Sequence, residues 1–126
     1  MSTPLSIQGI IDLSSAFYGS AVLFAALEHD VFTVLATEGT ATSDALAQRC
    51  QADARGMRLL LDACVAIGLL TKTGDAYANT PSTAATLVAG APHDLTRAIR
   101  YNRDVYPAWG RTAELVRTGA PVEQPS

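Results

Sequence analysis

The feature that most constrains the fold is the apolar run between Ile7 and Leu27. Its apolar and small residues recur at the three-and-four spacing of one helical face, namely Ile7, Ile10, Ile11, Ser14, Phe17, Tyr18, Ala21, Val22 and Ala25. A second apolar set, Leu13, Ala16, Phe24 and Leu27, lies off that face. Gly19 predicts a kink or break between two shorter helices. The segment is therefore apolar around most of its circumference.

A helix that is apolar on all sides must be covered on all sides. The 126 residues suffice for one domain of ordinary size, which supplies one layer of cover. The simplest second layer is another copy of the chain across a two-fold axis, and the alternative is a central core helix in a monomer. We expect a homodimer with an interface formed by Ile7, Ile10, Ile11, Phe17, Tyr18 and Val22.

Composition favours helices and an intracellular setting. Aromatic residues make up only 6% of the chain, and lysine occurs once, at Lys72. The uncharged stretch from Leu13 to Leu27 is shorter than the roughly 20 residues that span a bilayer. The N-terminus lacks the basic and apolar regions of a secretory leader. We expect a cytoplasmic protein without a membrane partner.

The middle of the chain follows the element order of a winged helix. Thr42 or Ser43 can cap one helix, and Asp53 can cap a second that ends near Ile67. Residues 70–79 then form two short alternating runs around a glycine-containing turn, a pattern that predicts a β-hairpin.

A winged helix raises the possibility of DNA binding. Arg55 and Arg58 would contact bases from the second helix, with Arg49 and Lys72 on phosphates. However, the formal net charge of the chain is −3 and no segment is strongly basic, whereas DNA affinity comes largely from clustered cations. We therefore expect no nucleic-acid partner, with these arginines on a solvated or partner-facing surface.

After the hairpin, Thr80-Pro81 begins a short helix, and Asp94 opens a longer one that Pro107 bends or restarts. This longer helix carries a cluster of aromatic and amide side chains, Tyr101, Asn102, Tyr106 and Trp109. They could line a pocket for a flat ligand or belong to the core. Residues 120–126 have no periodic pattern and are interpreted as a linker or a severed end.

Residues for catalysis, metals and cofactors are sparse. His29 and His93 have no partner at metal-ligand spacing, and Cys50 and Cys64 are too far apart for a metal knuckle or a redox pair. We expect both thiols to be free and buried. None of the nine glycines forms the Gly-x-Gly spacing of a dinucleotide loop. The sequence thus predicts no catalytic, cofactor-binding or metal-binding residue in this chain.

The sequence from Arg58 to Leu70, RLLLDACVAIGLL, is followed by Gly74-Asp75-Ala76-Tyr77 and Thr80-Pro81. With Phe24–Phe32 and Ala45-Leu46-Ala47 upstream, this pattern resembles the N-terminal dimerisation domain of S-adenosylmethionine-dependent small-molecule O-methyltransferases, which include bacterial antibiotic-tailoring and plant caffeate-type enzymes. The resemblance extends over roughly residues 8–119. Leu61-Asp62 and Glu28-His29-Asp30 depart from the family pattern.

The resemblance implies a mainly α fold at residues 1–119, a winged-helix-like helical domain with a small β-hairpin in an intertwined homodimer. It also implies a domain that helps shape the acceptor pocket for a small aromatic substrate. In that family S-adenosylmethionine binds a separate catalytic domain, which we do not find in this sequence, so we expect this chain alone to be inactive. A DNA-binding regulator and a stand-alone aromatic-ligand or auxiliary protein are the alternatives.

Overall fold

The computed structural model describes residues 3–121. The helices are α1 (Ile7–Ser15), α2 (Phe17–Glu28), α3 (Val31–Glu38), α4 (Ser43–Cys50), α5 (Ala54–Ala66), α6 (Pro81–Thr86), α7 (Thr96–Trp109) and α8 (Thr112–Thr118). The strands are β1 (Ala41–Thr42), β2 (Leu70–Thr73) and β3 (Ala76–Asn79). The prediction of a mainly α fold is confirmed.

The three strands form one antiparallel sheet in the order β1-β3-β2. The predicted hairpin is present, with Leu70 opposite Asn79 and Thr73 opposite Ala76. Strand β1 was not predicted, since its two residues carry no pattern of their own and pair with the far side of β3. The hairpin thereby gains a third strand and also packs against α5, and both stabilise a ribbon that alone would be marginal in water.

The core lies between α2, α3, α4, α5 and the inner face of the sheet. Its fully buried side chains include Phe32, Leu46, Met57, Leu61 and Tyr77. By contrast, helices α1, α7 and α8 contain no buried residue in the single chain. The two ends of the described chain therefore lie outside the core that holds its middle together.

Three predicted helix starts agree with the structure. The Thr42 hydroxyl accepts from the Ala45 amide at 3.2 Å, and the Asp53 carboxylate accepts from the Gly56 amide at 2.8 Å. Thr80 caps α6 in a reciprocal arrangement with the Thr83 side chain. Each cap satisfies a helical N–H group that otherwise lacks a partner.

The N-terminal run does break into two helices, but the break is at Ala16 and the prediction of Gly19 is wrong. The Ser14 hydroxyl donates to the Ile11 carbonyl at 2.6 Å, and the Ser15 hydroxyl donates to the Asp12 carbonyl. The Ala16 amide consequently bonds the Leu13 carbonyl, one residue short of the helical pattern. Gly19 lies within α2 with ordinary helical geometry.

Helix α7 continues through Pro107 and ends at Trp109. Pro107 cannot donate to the carbonyl one turn earlier, a defect that bends a helix without always ending it. The actual break is at Gly110 and Arg111, after which α8 begins at Thr112. The predicted restart therefore lies a few residues after the proline.

Candidate functional site

The first candidate site is the exposed apolar surface of α1 and the start of α2, called here the N-terminal apolar face. It consists of Ile7, Ile10, Ile11, Leu13, Phe17 and Tyr18. Ile7 is 81% exposed and Ile10 is 59% exposed in the single chain. Large contiguous apolar patches of this kind mark interaction sites on soluble proteins.

Five of the six residues predicted for the dimer interface are exposed on this face. The exception is Val22, which is half-buried and packs against the chain's own core. Leu13, which lies off the predicted stripe, is also exposed. In the described chain, α1 contributes no side chain to the core or to the residues packed around it.

The second candidate site is a groove between the start of α2 and the end of α7, called here the aromatic groove. It has a volume of about 560 Å³ and is lined by Phe17, Tyr106, Pro107, Trp109 and Gly110. Apolar atoms make up most of its lining. Such a groove can accept an apolar side chain or a flat ligand.

Two of the four residues predicted to line a pocket lie in the aromatic groove. Tyr106 and Trp109 are among its walls, whereas Tyr101 and Asn102 are exposed and outside its lining. Trp109 is 70% exposed, so it is not a core residue. Phe17 also lines the groove, and the groove therefore adjoins the N-terminal apolar face.

Helix α7 is held by contacts near its start and its end. Near the start, the Asp94 carboxylate accepts from the amide and hydroxyl of Thr96 at 2.8 and 2.6 Å, and these hydrogen bonds lower the pKa of that carboxyl. Near the end, the rings of Phe24 and Tyr106 meet edge to face at 5.3 Å. The ring contact between Phe24 and Tyr106 therefore joins α2 to α7 next to the groove.

An exposed ion pair also links α7 to the turn between α2 and α3. The Arg100 guanidinium lies 3.4 Å from the Asp30 carboxylate. Asp30 adopts a left-handed conformation, with φ at 56°, where the chain reverses between the two helices. Because both side chains are solvated, this pair adds little stability by itself.

A polar cluster joins the hairpin to α5. The Tyr77 hydroxyl donates to the Asp62 carboxylate, and the Lys72 ammonium lies 3.2 Å from the same carboxylate. These hydrogen bonds lower the pKa of Asp62. Lys72 also lies over the Tyr77 ring, 4.9 Å from its centre. Because the Asp62 carboxylate is already bound by Tyr77 and Lys72, we assign this cluster a structural role and call it the hairpin latch.

The side chains considered for DNA contact do not form a free basic surface. Arg49 pairs with Glu38, and Lys72 pairs with Asp62. Arg55 and Arg58 are exposed on α5. The chain has a net negative charge, and Arg55 and Arg58 alone provide too few positive charges to bind a phosphate backbone tightly.

Both cysteines are free, as predicted, but they differ in burial. Cys64 is fully buried and Cys50 only half-buried, so the prediction of two buried thiols is wrong for Cys50. Burial raises the pKa of the Cys64 thiol to about 11 and also raises the pKa of Cys50. Thiols held in the protonated form are poor nucleophiles.

The positive-φ glycines of the described residues lie at helix ends and in turns. The glycines with positive φ, such as Gly39, Gly68 and Gly119, end helices, and Gly74 forms the hairpin turn. None of these glycines shares the close spacing that lets a backbone approach a nucleotide. Within residues 3–121, no group of three or more His, Cys, Asp or Glu side chains is placed to hold a metal.

One helical segment of the described chain, Ile7–Glu28, has the length and composition to cross a membrane. Its 22 residues include the break at Ala16 and the charged Asp12. Length and composition alone are weak support for a membrane span. A helix that packs against a protein partner can have the same length and apolar composition.

Sequence reasoning missed two features of the site. The sequence predicts Phe17 for the dimer face but not for the groove, because the groove is lined by residues about 90 positions apart in the chain. The Tyr77–Asp62 contact was missed for a similar reason. The local signal was the Gly74-Asp75-Ala76-Tyr77 sequence that forms part of the family resemblance, and it does not indicate which residue Tyr77 contacts.

Comparison with known proteins gives a consistent result. Residues 11–89 match the model of the O-methyltransferase dimerisation domain. The chain is 38% identical over 112 residues to the tetracenomycin polyketide synthesis 8-O-methyl transferase TcmO of Streptomyces glaucescens, covering 87% of this chain and 33% of that protein. It is 38% identical over 119 residues to acetylserotonin O-methyltransferase of Mus musculus, covering 89% and 30%.

The solved structure of human N-acetylserotonin methyltransferase in complex with SAM shares the fold, with a TM-score of 0.79 and 35% identity. That similarity covers 94% of this chain and 37% of the human chain. The chain thus spans about a third of the length of the relatives it matches. With the family model matching more than half of its residues, the chain belongs to the O-methyltransferase dimerisation domain family.

Proposed function

We propose that this chain is a homodimerisation domain of a small-molecule O-methyltransferase. The observation that carries the proposal is the N-terminal apolar face, since Ile7, Ile10 and Ile11 are exposed on a helix with no buried residue. A nine-residue helix is marginal in water unless something packs against it. A second copy supplies the matching apolar surface in an isologous, intertwined dimer.

We further propose that the domain helps shape the acceptor pocket of the enzyme for a small aromatic substrate. Tyr106 and Trp109 line the aromatic groove, and Tyr101 and Asn102 lie one to two turns earlier on the same helix. Methylation itself would use S-adenosylmethionine bound by a separate catalytic domain, as the family resemblance implies. In the absence of that domain, this chain would be inactive.

The winged-helix assignment and a cytoplasmic location stay part of this proposal. The order of α4, α5 and the hairpin along the chain supports the winged-helix assignment. The break at Ala16 and the charge of Asp12 within the apolar run favour a soluble protein over a membrane-spanning one. The ion pairs of Arg49 with Glu38 and of Lys72 with Asp62 argue against DNA recognition.

Sedimentation equilibrium of charge variants tests the proposal. The parent chain should have twice the monomer mass of 13.2 kDa, and Ile10→Asp should reduce it to the monomer, because a carboxylate would be buried without a partner. Leu59→Asp is the matched control, since Leu59 is 51% exposed on α5 and is not one of the residues of the N-terminal apolar face. A parent chain that stays monomeric would refute the proposal, as would an Ile10→Asp dimer of unchanged affinity.

A further inference from the structure

Helix α5 has a second apolar side that does not belong to the core. The side chains that it buries in the core are Met57, Leu61 and Cys64. Along another side, residues at intervals of four form a row that ends at the C-terminal cap, namely Arg55, Leu59, Ala63 and Ile67. Leu59 is 51% exposed and Ile67 is 48% exposed. Two large apolar side chains of α5 are therefore left uncovered in the described chain.

Two guanidinium groups lie beside these apolar side chains. Arg55 begins the row, and Arg58 lies on the adjacent exposed side of the helix, one residue before Leu59. Neither arginine forms an ion pair within residues 3–121. The surface formed by Arg55, Arg58, Leu59, Ala63 and Ile67 is called here the α5 outer face.

The carboxylates that α5 holds near these arginines are already bound within the chain. The Asp53 carboxylate accepts from the Gly56 amide at 2.8 Å, where it caps the helix. The Asp62 carboxylate is bound by Tyr77 and Lys72 in the hairpin latch. Among the described residues, the α5 outer face thus combines exposed apolar groups with guanidinium groups that have no carboxylate partner.

We infer that the α5 outer face binds an acidic amphipathic helix of another protein. The apolar side chains of that helix pack against Leu59 and Ile67, with Ala63 leaving a gap between them that a partner side chain can enter. Its carboxylates bind Arg55 and Arg58, since a guanidinium group can hold a carboxylate through two parallel hydrogen bonds. The inference does not depend on the proposed dimer, whose N-terminal apolar face lies on α1 and the start of α2.

Charge favours an acidic partner over the same face of a second copy. Two copies of the α5 outer face packed together would place guanidinium groups opposite one another and supply no free carboxylate to them. Like charges that meet in an interface destabilise it. An acidic helix instead supplies the carboxylates that this surface lacks.

The apolar side chains favour a protein over DNA as the occupant. Leu59 and Ile67 gain stability by burial against other apolar groups, whereas a phosphate backbone is charged and hydrated. Tight binding to DNA also requires more cations than Arg55 and Arg58 provide. One or two carboxylates of a protein helix match these two arginines.

Fluorescence anisotropy of two labelled, stapled helical peptides tests the inference. One peptide has leucines along one side with glutamates beside them, and the other has lysines in place of the glutamates. The glutamate peptide should bind the parent chain more tightly than the lysine peptide does. Arg55→Glu combined with Arg58→Glu should weaken binding of the glutamate peptide by about tenfold or more and should strengthen binding of the lysine peptide.

Arg97→Glu combined with Arg117→Glu is the matched control, because it makes the same change in net charge at exposed arginines of α7 and α8. It should leave binding of the glutamate peptide unchanged. Ile10→Asp should also still bind this peptide, which separates the α5 outer face from the N-terminal apolar face.

Three results would overturn the inference: no binding of the glutamate peptide, equal affinity of the two peptides for the parent chain, or loss of binding in Ile10→Asp. Binding of a DNA duplex that requires Arg55 and Arg58, without binding of the glutamate peptide, would assign the face to DNA instead. A parent chain that is monomeric by sedimentation but binds the glutamate peptide through Arg55 and Arg58 would refute the proposed dimer and support this inference.

Discussion

The Tyr77 hydroxyl donates a hydrogen bond to the Asp62 carboxylate, although the Tyr77 ring is fully buried and Asp62 is exposed on α5. The ring anchors the hairpin in the core, and its polar end reaches the surface of the neighbouring helix. Lys72 completes the contact from the adjacent strand. The hairpin is therefore tied to α5 by both an apolar and a polar attachment.

Removal of the Tyr77 hydroxyl should weaken this attachment without disturbing the core. Tyr77→Phe is expected to lower the free energy of unfolding by about 0.5–1.5 kcal/mol, the usual contribution of one hydrogen bond. Urea denaturation followed by circular dichroism measures the change. Tyr101→Phe is the control, since Tyr101 is 67% exposed and no hydrogen bond from its hydroxyl is found in the described residues, and it should leave the midpoint unchanged. Equal midpoints for Tyr77→Phe and the parent chain would contradict the latch.

The same latch makes stability depend on pH. The pKa of Asp62 is lowered in the folded chain by its hydrogen bonds to Tyr77 and Lys72. Its contribution is therefore complete above the unfolded value, near 3.8, and is lost as the pH falls through the lower folded value. Asp62→Asn should remove that part of the acid dependence. Urea midpoints measured between neutral and acidic pH should show a shallower decline for the variant than for the parent, and parallel curves would argue against the assignment.

The edge-to-face contact between Phe24 and Tyr106 should hold α7 against α2. Tyr106→Leu keeps an apolar side chain but removes the ring pair, which typically adds about 0.5–1.5 kcal/mol beyond burial. Amide hydrogen exchange in Thr96–Trp109 should become faster in this variant, with the core strands unaffected. Tyr101→Leu, on the exposed side of the same helix, provides the comparison. Unchanged exchange in Tyr106→Leu would show that other contacts hold the helix.

Burial should protect Cys64 from alkylation. Its thiol is fully buried with a pKa of about 11, and at pH 8 it is almost entirely protonated. Under native conditions iodoacetamide should modify Cys50 first, because Cys50 is only partly covered. In urea the two sites should react at similar rates. Mass spectrometry of digested samples distinguishes them, and prompt native labelling of Cys64 would show that the core opens readily.

Much of the fold was predictable because its signals are local. The caps at Thr42, Asp53 and Thr80, the periodic face of α5 and the turn at Gly74 each depend on a few neighbouring residues. These features established the order of helices and the hairpin. They also support the family resemblance, whose motifs lie in the same segments.

The features that escaped prediction depend on distant or competing contacts. Strand β1 exists through pairing with β3, and the break at Ala16 arises because serine hydroxyls compete for backbone carbonyls. The groove brings Phe17 to Trp109 from the far end of the chain. For the same reason, Tyr101 and Asn102 could not be separated in advance from Tyr106 and Trp109.

In the proposed dimer a second subunit covers α1, and amide hydrogen exchange of Ile7–Ser15 tests this most directly. In the single chain this helix has no buried residue, so its amides should exchange freely at concentrations where the protein is monomeric. At concentrations where dimers form, they should become strongly protected, while the core helix Ala54–Ala66 is protected throughout. Equal exchange of Ile7–Ser15 at both concentrations, with dimers verified by sedimentation, would contradict the account.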